Sequence, residues 1–235
     1  MLRTSKFAAA LVVGLLTALA SSALAATAVI EADRDATLIE HPDGALASGI
    51  GPLVFAGRTG QPRGSIRRAA VHFDVAAALP AGARIDAVRL VFHVDRLNPG
   101  AHQVRLHRLQ ADWGEGASSG MGGKGVPAAP GDATWVHTFY DLERWVRPGG
   151  HFLGRPSARA EVAGTGDVLW GGARMVNDVR LWLSAPHRNF GWVLLGDETG
   201  SNTAIGFDSR ESMLPDRRPR LEVDYRPGKG RGRHR

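Results

Sequence analysis

The sequence contains no cysteine, so disulfide bonds contribute nothing, and a stable fold needs a hydrophobic core, alone or with a bound metal ion. Beyond residue 25 it has no apolar run close to the ~20 residues of a membrane-spanning helix. The His-Glu-x-x-His signature of zinc hydrolases is absent, and the nine histidines do not recur at metal-ligand spacing. These absences exclude a disulfide scaffold and favour a chain that is held together by packing.

The first 25 residues carry the three parts of a secretory signal peptide. Arg3 and Lys6 form a basic start, residues 7–20 are an apolar stretch, and Ala-Leu-Ala at 23–25 is a cleavage site. The apolar stretch is short for a membrane anchor. We therefore expect cleavage before Ala26 and a secreted protein, extracellular or periplasmic, without a transmembrane anchor.

Positive charge is concentrated at the two ends of the chain. The net charge of +6 falls to +4 without the two basic residues of the signal peptide, and to about −1 without the five of the last ten residues. Residues 226–235 are rich in Gly and Arg, which predicts a disordered basic tail. This tail could attract polyanions through its charge, but nothing else in the chain indicates specific nucleic-acid recognition.

Between the signal peptide and the tail, most segments have the pattern of β-strands. The clearest is 85–95, where Val88, Leu90, Phe92 and Val94 alternate with mostly polar residues. Nine to eleven such strands are predicted, with one amphipathic helix over 175–183. The pattern predicts an all-β fold, a jelly-roll-type antiparallel β-sandwich with one short helix, in a single domain from 26 to 225.

A long loop interrupts the strands. Residues 113–131 contain seven glycines and no periodicity, and unstructured loops of this length in a compact domain tend to be functional or disordered. Tryptophans border this loop and the next one, so Trp113 and Trp145 are candidates for an exposed ring that stacks on a sugar. Two acids of the same region, Asp112 and Glu115, are the candidates for a pair of catalytic carboxylates.

A polar signature lies in an otherwise apolar part of the chain, at residues 207–211 (FDSRE). If this segment is buried, its charges need partners. We expect Arg210 to form a structural ion pair with Asp197 or Glu198, because a guanidinium suits two-pronged carboxylate pairing. The alternative role of Arg210 is to bind an anionic sugar.

Calcium is the one metal ion that the composition makes a reasonable cofactor, because a secreted domain without disulfides gains stability from it. No EF-hand spacing is present. The candidate oxygen ligands fall into two groups along the chain: Asp33, Asp35 and Asp74, and Asp197, Glu198 and Asp208.

An ordered set of short motifs resembles the DNRLRE-domain family of secreted β-sandwich proteins, which is related to carbohydrate-binding modules. The motifs span nearly the whole mature chain: 71–75 (VHFDV), 104–109 (VRLHRL), 112–116 (DWGEG), 131–135 (GDATW), 175–179 (MVNDV), 189–192 (NFGW), 207–211 (FDSRE) and 218–225 (RPRLEVDY). One departure is His151, which stands where the family pattern has Asp. The resemblance implies a sandwich fold and export, and its best-understood members resemble binders of acidic polysaccharides such as alginate.

These observations predict a non-catalytic binding or structural module at the cell surface or in the extracellular matrix, with carbohydrate as the candidate ligand. One alternative is a binder of acidic, alginate-like polysaccharide. The other, from a different class, is a polysaccharide hydrolase or lyase that uses the region from Asp112 to Glu115.

Overall fold

A computed structural model describes residues 24–228, which are mostly β-structure. The predicted signal peptide lies outside the described residues except for Leu24 and Ala25, and of the predicted tail only residues 226–228 are described. The fifteen strands of this part of the chain are β1 (Ala26–Glu31), β2 (Arg34–Ile39), β3 (Leu46–Ala47), β4 (Leu53–Arg58), β5 (Ile66–His72), β6 (Arg84–Arg96), β7 (His102–Arg108), β8 (Val126–Pro127), β9 (His137–Phe139), β10 (Glu143–Arg144), β11 (Ala158–Val162), β12 (Gly166–Gly171), β13 (Trp192–Leu195), β14 (Ile205–Asp208) and β15 (Arg220–Arg226). The two α-helices are α1 (Val75–Ala78) and α2 (Ala173–Ser184), and short 3-10 turns occupy Pro186–Arg188 and Pro215–Arg217.

Eleven of the fifteen strands form one large antiparallel sheet that curls into two facing halves, and the other four form two separate pairs, β3 with β8 and β9 with β10. The first half has the order β1-β15-β6-β14-β4, with β12 also paired to β6. The second half has the order β5-β13-β7-β11, with β2 also paired to β5, and β4 joins the halves by pairing with both β14 and β5. The prediction of an all-β antiparallel sandwich is confirmed, although short strands inside the long loops raise the strand number above the predicted nine to eleven.

The main core fills the space between the two halves. The alternating residues of β6 that were predicted to share a face, Val88, Leu90, Phe92 and Val94, are all buried in it. From the opposite half β7 contributes Val104 and Leu106. Burial of these apolar side chains is the main force that closes the sandwich.

Helix α2 closes one end of this core. Its apolar face presents Met175, Val179 and Trp182, which are fully buried, and the Trp182 ring lies 4.3 Å from that of Trp192 on β13. This confirms the predicted helix over 175–183. The one-turn helix α1 was not predicted. Asp74 caps this turn by accepting a hydrogen bond from the Ala77 amide at 3.1 Å.

A buried acid anchors α2 to the sandwich. Asp178 accepts hydrogen bonds from the Ser157 hydroxyl and from the Trp192 indole N–H at 3.0 Å, and it lies 3.4 Å from the Arg108 guanidinium. Burial raises the pKa of Asp178 and outweighs these partners, which lower it. The folded state therefore holds the proton more tightly than the unfolded chain.

This shift predicts how stability should depend on pH. As pH rises above 3.8 through the raised folded pKa of Asp178, the contribution of this residue to stability should fall, because the unfolded chain ionises first. The substitution Asp178→Asn keeps an acceptor for Ser157 and Trp192, but the asparagine side chain does not ionise. In chemical unfolding across this range, the free energy of unfolding of the variant should increase relative to that of the wild type as pH rises. A difference that does not depend on pH would contradict a raised pKa for Asp178.

A second, smaller core lies on the outer face of the second half-sheet. The long connections after β7 fold over this face and bury it. The cluster contains Ala36, Leu38, Ala70, Leu109, Trp113, Ala133, Trp145, Val193 and Leu195. The long loop predicted from its glycines is thus a packed cover, and this explains why β2 and β13 are buried on both faces.

The two ends of the described chain pair with each other. Strand β1 runs antiparallel to β15 from Ala26↔Tyr225 to Glu31↔Arg220. Strand β15 continues to Arg226, whose guanidinium binds the Asp86 carboxylate at 2.6 and 2.7 Å, so the first residue of the predicted tail belongs to the sheet. Neither helix in the described part of the chain is long and apolar enough to cross a membrane.

Candidate functional site

Three carboxylates and one guanidinium meet at the edge of the smaller core. They come from separate elements: Asp35 from β2, Glu115 from the loop after β7, and Arg210 with Glu211 from the turn after β14. The Arg210 Nη1 donates to Glu115 Oε2 at 2.9 Å and to Glu211 Oε1 at 2.8 Å. The Asp35 amide donates to Glu115 Oε1 at 2.8 Å, and the Arg210 amide donates to Asp35 Oδ2 at 2.7 Å. We call these four residues the carboxylate cluster.

The cluster is buried to different degrees: the side chains of Glu115, Glu211 and Arg210 are 15%, 23% and 35% exposed. Asp35 is 0% exposed, and burial raises the pKa of its carboxyl well above the usual value, with the negative charges of Glu211 and Glu115 acting in the same direction. Burial also raises the pKa of Glu115, against its hydrogen bond from Asp35 and the charge of Arg210. The Asp35 Oδ1 and Glu211 Oε2 atoms are buried and have no hydrogen-bond partner among residues 24–228.

The prediction that Arg210 forms an ion pair with an acid is confirmed, but the predicted partners are wrong. Arg68 holds both carboxylate oxygens of Glu198, at 2.7 and 2.9 Å. Asp197 is used in its own turn, where it accepts from the amide and hydroxyl of Thr199. Both predicted partners therefore already have donors, and Arg210 pairs with Glu115 instead.

Five of the six predicted metal ligands are engaged elsewhere. Asp33 contacts His72 Nδ1 at 2.6 Å, Asp74 caps α1, and Asp208 accepts from the Ser212 hydroxyl at 2.7 Å; Asp197 and Glu198 have the partners given above. Neither predicted group of three therefore comes together as one site. Within the described residues, Asp35 alone of the six belongs to a close group of three carboxylates, with Glu115 and Glu211. Sequence reasoning missed Glu211 as a ligand candidate, although it lies in the polar signature that drew attention to Arg210.

The two tryptophans proposed as sugar platforms are buried. Trp113 is 0% exposed and its indole N–H donates to the Phe190 carbonyl at 2.9 Å. Trp145 is 5% exposed and donates to the Thr134 carbonyl at 2.9 Å. The expectation that these rings would be available to a sugar at the surface is wrong, because the loops they border are packed. Trp135 is only partly buried, and Arg68 covers its ring at 4.8 Å.

Two short glycine patterns in the long loop match catalytic or phosphate-binding motifs by spacing alone: residues 116–120 (GASSG) and 120–125 (GMGGKG). Neither lies between a strand and a helix, the context in which such motifs work. Ser118, the central residue of the first, is buried and bonds through its amide and hydroxyl to the Asp132 carboxylate. Gly116 is needed here because its φ is +68° and a Cβ would lie 1.8 Å from Asp132 Oδ1. These motifs build the cover.

An arginine pair marks the uncovered part of the second half-sheet. Arg105 on β7 and Arg159 on β11 lie directly opposite each other in the antiparallel ladder, so their side chains share one face. Neither guanidinium forms an ion pair or a side-chain hydrogen bond within residues 24–228. Like charges at opposite positions destabilise a sheet, and no described acid lies within ion-pair distance of either guanidinium.

A groove of about 420 Å³ runs beside this arginine pair. It is lined by Ala101, His102, Gln103, Arg105, Gly196, Asp197, Glu198 and Thr199. The positive field extends to the nearby His107, whose pKa is lowered by burial and then by the charges of Arg105, Arg159 and Arg68. The two acids at the groove are engaged by Arg68 and by their own turn, so no acid of the described chain competes with an anion for Arg105 and Arg159.

A second groove, of about 580 Å³, lies on the first half-sheet and is also rich in arginine. Its central Arg220 is paired with Asp167 at 2.8 Å, and the neighbouring Arg218 donates to the Ser212 carbonyl at 3.0 Å. Arg218 and Arg220 are thus engaged within the protein, whereas Arg217 forms no ion pair or side-chain hydrogen bond with a described residue. This groove therefore has one such arginine, and the other face has the facing pair Arg105 and Arg159.

Comparison of the chain with protein-family models and with curated proteins finds no match.

Proposed function

We propose that the protein is an exported, non-catalytic module that binds an acidic polysaccharide through the face carrying Arg105 and Arg159. The observation that carries this proposal is the placement of two guanidiniums, neither with an ion-pair partner among residues 24–228, opposite each other on adjacent strands. A polyuronate offers one carboxylate per sugar, and guanidinium binds carboxylate through two parallel hydrogen bonds. Binding would remove the repulsion between the two arginines.

The geometry of the groove supports a chain-like ligand. Arg105 lines the groove, while Arg159 lies one strand further out, on the edge strand β11. Polar side chains of Gln103, His102 and Thr199 accompany them, which suits the hydroxyl groups of a sugar. In this proposal recognition rests on charge and hydrogen bonding, since the tryptophans considered first are buried.

The carboxylate cluster favours the non-catalytic alternative. A glycosidase needs two carboxylates that reach the scissile bond. Asp35 is fully buried, Glu115 is held by Arg210 and the Asp35 amide, and Asp112 is bound to Arg34 at 3.2 Å. The polysaccharide hydrolase or lyase remains the second candidate, and turnover of the ligand in the binding assay below would establish it.

The double variant Arg105→Ala/Arg159→Ala should bind polyuronate about 30-fold more weakly. Each charge-assisted contact at this exposed face contributes on the order of 1 kcal/mol, and 1.4 kcal/mol is tenfold in affinity. Titration of the full mature chain with alginate, with heparin and with a neutral glucan measures this, at low and at high salt. The matched control is Arg63→Ala/Arg84→Ala, which removes the same charge from exposed positions away from the groove.

The basic tail needs its own arm of the experiment. If residues 227–235 provide the affinity, their deletion abolishes binding, alginate and heparin bind alike, and salt weakens both steeply. If the face provides it, the tail deletion leaves the preference for one polyanion in place. Equal losses in the groove variant and in its charge-matched control, or no binding to any of the glycans, would contradict the proposal and favour a structural role.

A further inference from the structure

We propose that Asp35, Glu115 and Glu211 bind a calcium ion. Each of the three carboxylates places one oxygen within 4.8 Å of the others. Calcium binds oxygen ligands at 2.3–2.6 Å, so any two of its ligands lie at most about 5 Å apart. The three oxygens meet that limit as they stand, without movement of the backbone.

Two oxygens of this group are free to bind a cation. Asp35 Oδ1 and Glu211 Oε2 are buried and accept no hydrogen bond from any residue between 24 and 228. A buried carboxylate oxygen without a donor is costly and rare in folded proteins. Asp35 itself is fully buried, so water cannot freely provide the missing donor. A bound cation would satisfy both oxygens at once.

The charge of the cluster points to a divalent ion. Three carboxylates face one guanidinium, which leaves a net charge of −2 when all are ionised. Arg210 occupies only one oxygen of each glutamate, Glu115 Oε2 and Glu211 Oε1. The arginine therefore orients the two glutamates. The other oxygen of Glu211 has no donor among the described residues, and that of Glu115 accepts the Asp35 amide.

A cation here would do the work of a cross-link. Asp35 lies on β2, Glu115 in the loop that covers the smaller core, and Glu211 in the turn after β14. These segments are separated by 80 and about 95 residues along the chain. One ion would tie the cover to both halves of the sheet in a protein that has no cysteine. This role is structural and separate from the proposed glycan binding.

The test uses the mature protein, freed of metal with EDTA and titrated with CaCl₂. Calorimetry should detect binding with a dissociation constant of about 1 mM or tighter, as in extracellular calcium modules. At calcium a hundredfold above that constant, the melting temperature should rise by about 5–10 °C relative to EDTA. This direct titration needs no variant and is decisive even where a variant fails to fold.

Two near-isosteric variants locate the ion. Asp35→Asn and Glu211→Gln should each abolish the calcium-dependent rise in melting temperature, while Glu161→Gln, an exposed acid on β11, should keep it. In EDTA the Asp35→Asn protein should melt at or above the wild type, because a neutral side chain relieves repulsion among the carboxylates and its amide can donate to them. With calcium the order should reverse.

Three results would overturn the proposal. The first is no heat and no change in melting temperature up to about 10 mM calcium. The second is an unchanged calcium response in both cluster variants, which would place the ion elsewhere. The third is an equal response to magnesium, because Mg²⁺ needs shorter, octahedral coordination and keeps its waters.

Discussion

Replacing Trp113 by alanine should lower the free energy of unfolding by about 3–5 kcal/mol, the range for removing a large buried aromatic side chain. The ring is 0% exposed in the smaller core, its N–H is bonded to the Phe190 carbonyl, and the Arg34 guanidinium lies 5.0 Å from its centre. The substitution would leave a cavity under the cover and an unpaired carbonyl. The melting temperature should fall by roughly 10 °C or more.

The controls separate packing from ligand binding. Trp113→Phe keeps most of the volume and should lose much less stability, whereas Leu169→Ala removes a side chain that is 52% exposed and should change little. If Trp113→Ala weakened polyuronate binding with no loss of stability, the ring would be a ligand platform after all. The structure favours the first outcome, because no face of the indole reaches solvent.

The strands and the main helix could be predicted because their patterns are local. Strand β6 alternates over 13 residues and buries one face against the core, and α2 repeats its apolar residues at helical spacing. In both cases one face is more buried than the other, so apolar residues recur in the sequence at the spacing of a strand or of a helix. The one-turn helix α1 is too short to show any period, and its Asp74 cap was the only local signal.

The long loop could not be predicted in the same way, since its order comes from contacts distant in sequence. Its glycines look like signs of mobility, yet Gly116 is required by a positive φ and by contact with Asp132. Because the loop is a cover, the tryptophans beside it are buried rather than exposed. Composition indicated aromatic residues near loops, but not on which side of the loops they would lie.

The carboxylate cluster shows what a single sequence does reveal about a site. The polar signature at 207–211 correctly predicted that Arg210 needs an acidic partner. The identity of that partner depends on how β2, the cover and the turn after β14 meet in space, and no local pattern contains this information. The arginine pair Arg105 and Arg159 is equally invisible, because it follows from the register of β7 against β11.

Arg210→Ala should lower the free energy of unfolding by about 2–3 kcal/mol in EDTA. Removing one partner of a fully buried ion pair costs about 3–5 kcal/mol, and the side chain of Arg210 is 35% exposed, which reduces the effect. The variant leaves Asp35, Glu115 and Glu211 together without a cation. Arg210→Lys keeps the charge on one ammonium nitrogen in place of the single Nη1 that donates to both glutamates, so its loss should be smaller than that of Arg210→Ala.

The stability of Arg210→Ala in calcium and in EDTA should show whether Arg210 and the calcium ion share one site. If the three carboxylates bind the ion, removing the guanidinium makes the net charge of the cluster more negative, from −2 to −3. The Arg210→Ala protein should therefore bind calcium more tightly than the wild type. Its loss of stability should then be smaller in calcium than in EDTA, as measured by thermal unfolding in both. An equal loss in both media would argue against a shared site. An unchanged melting temperature together with lost polyuronate binding would instead make Arg210 a ligand residue, since only a side chain free of structural duty could be removed without cost.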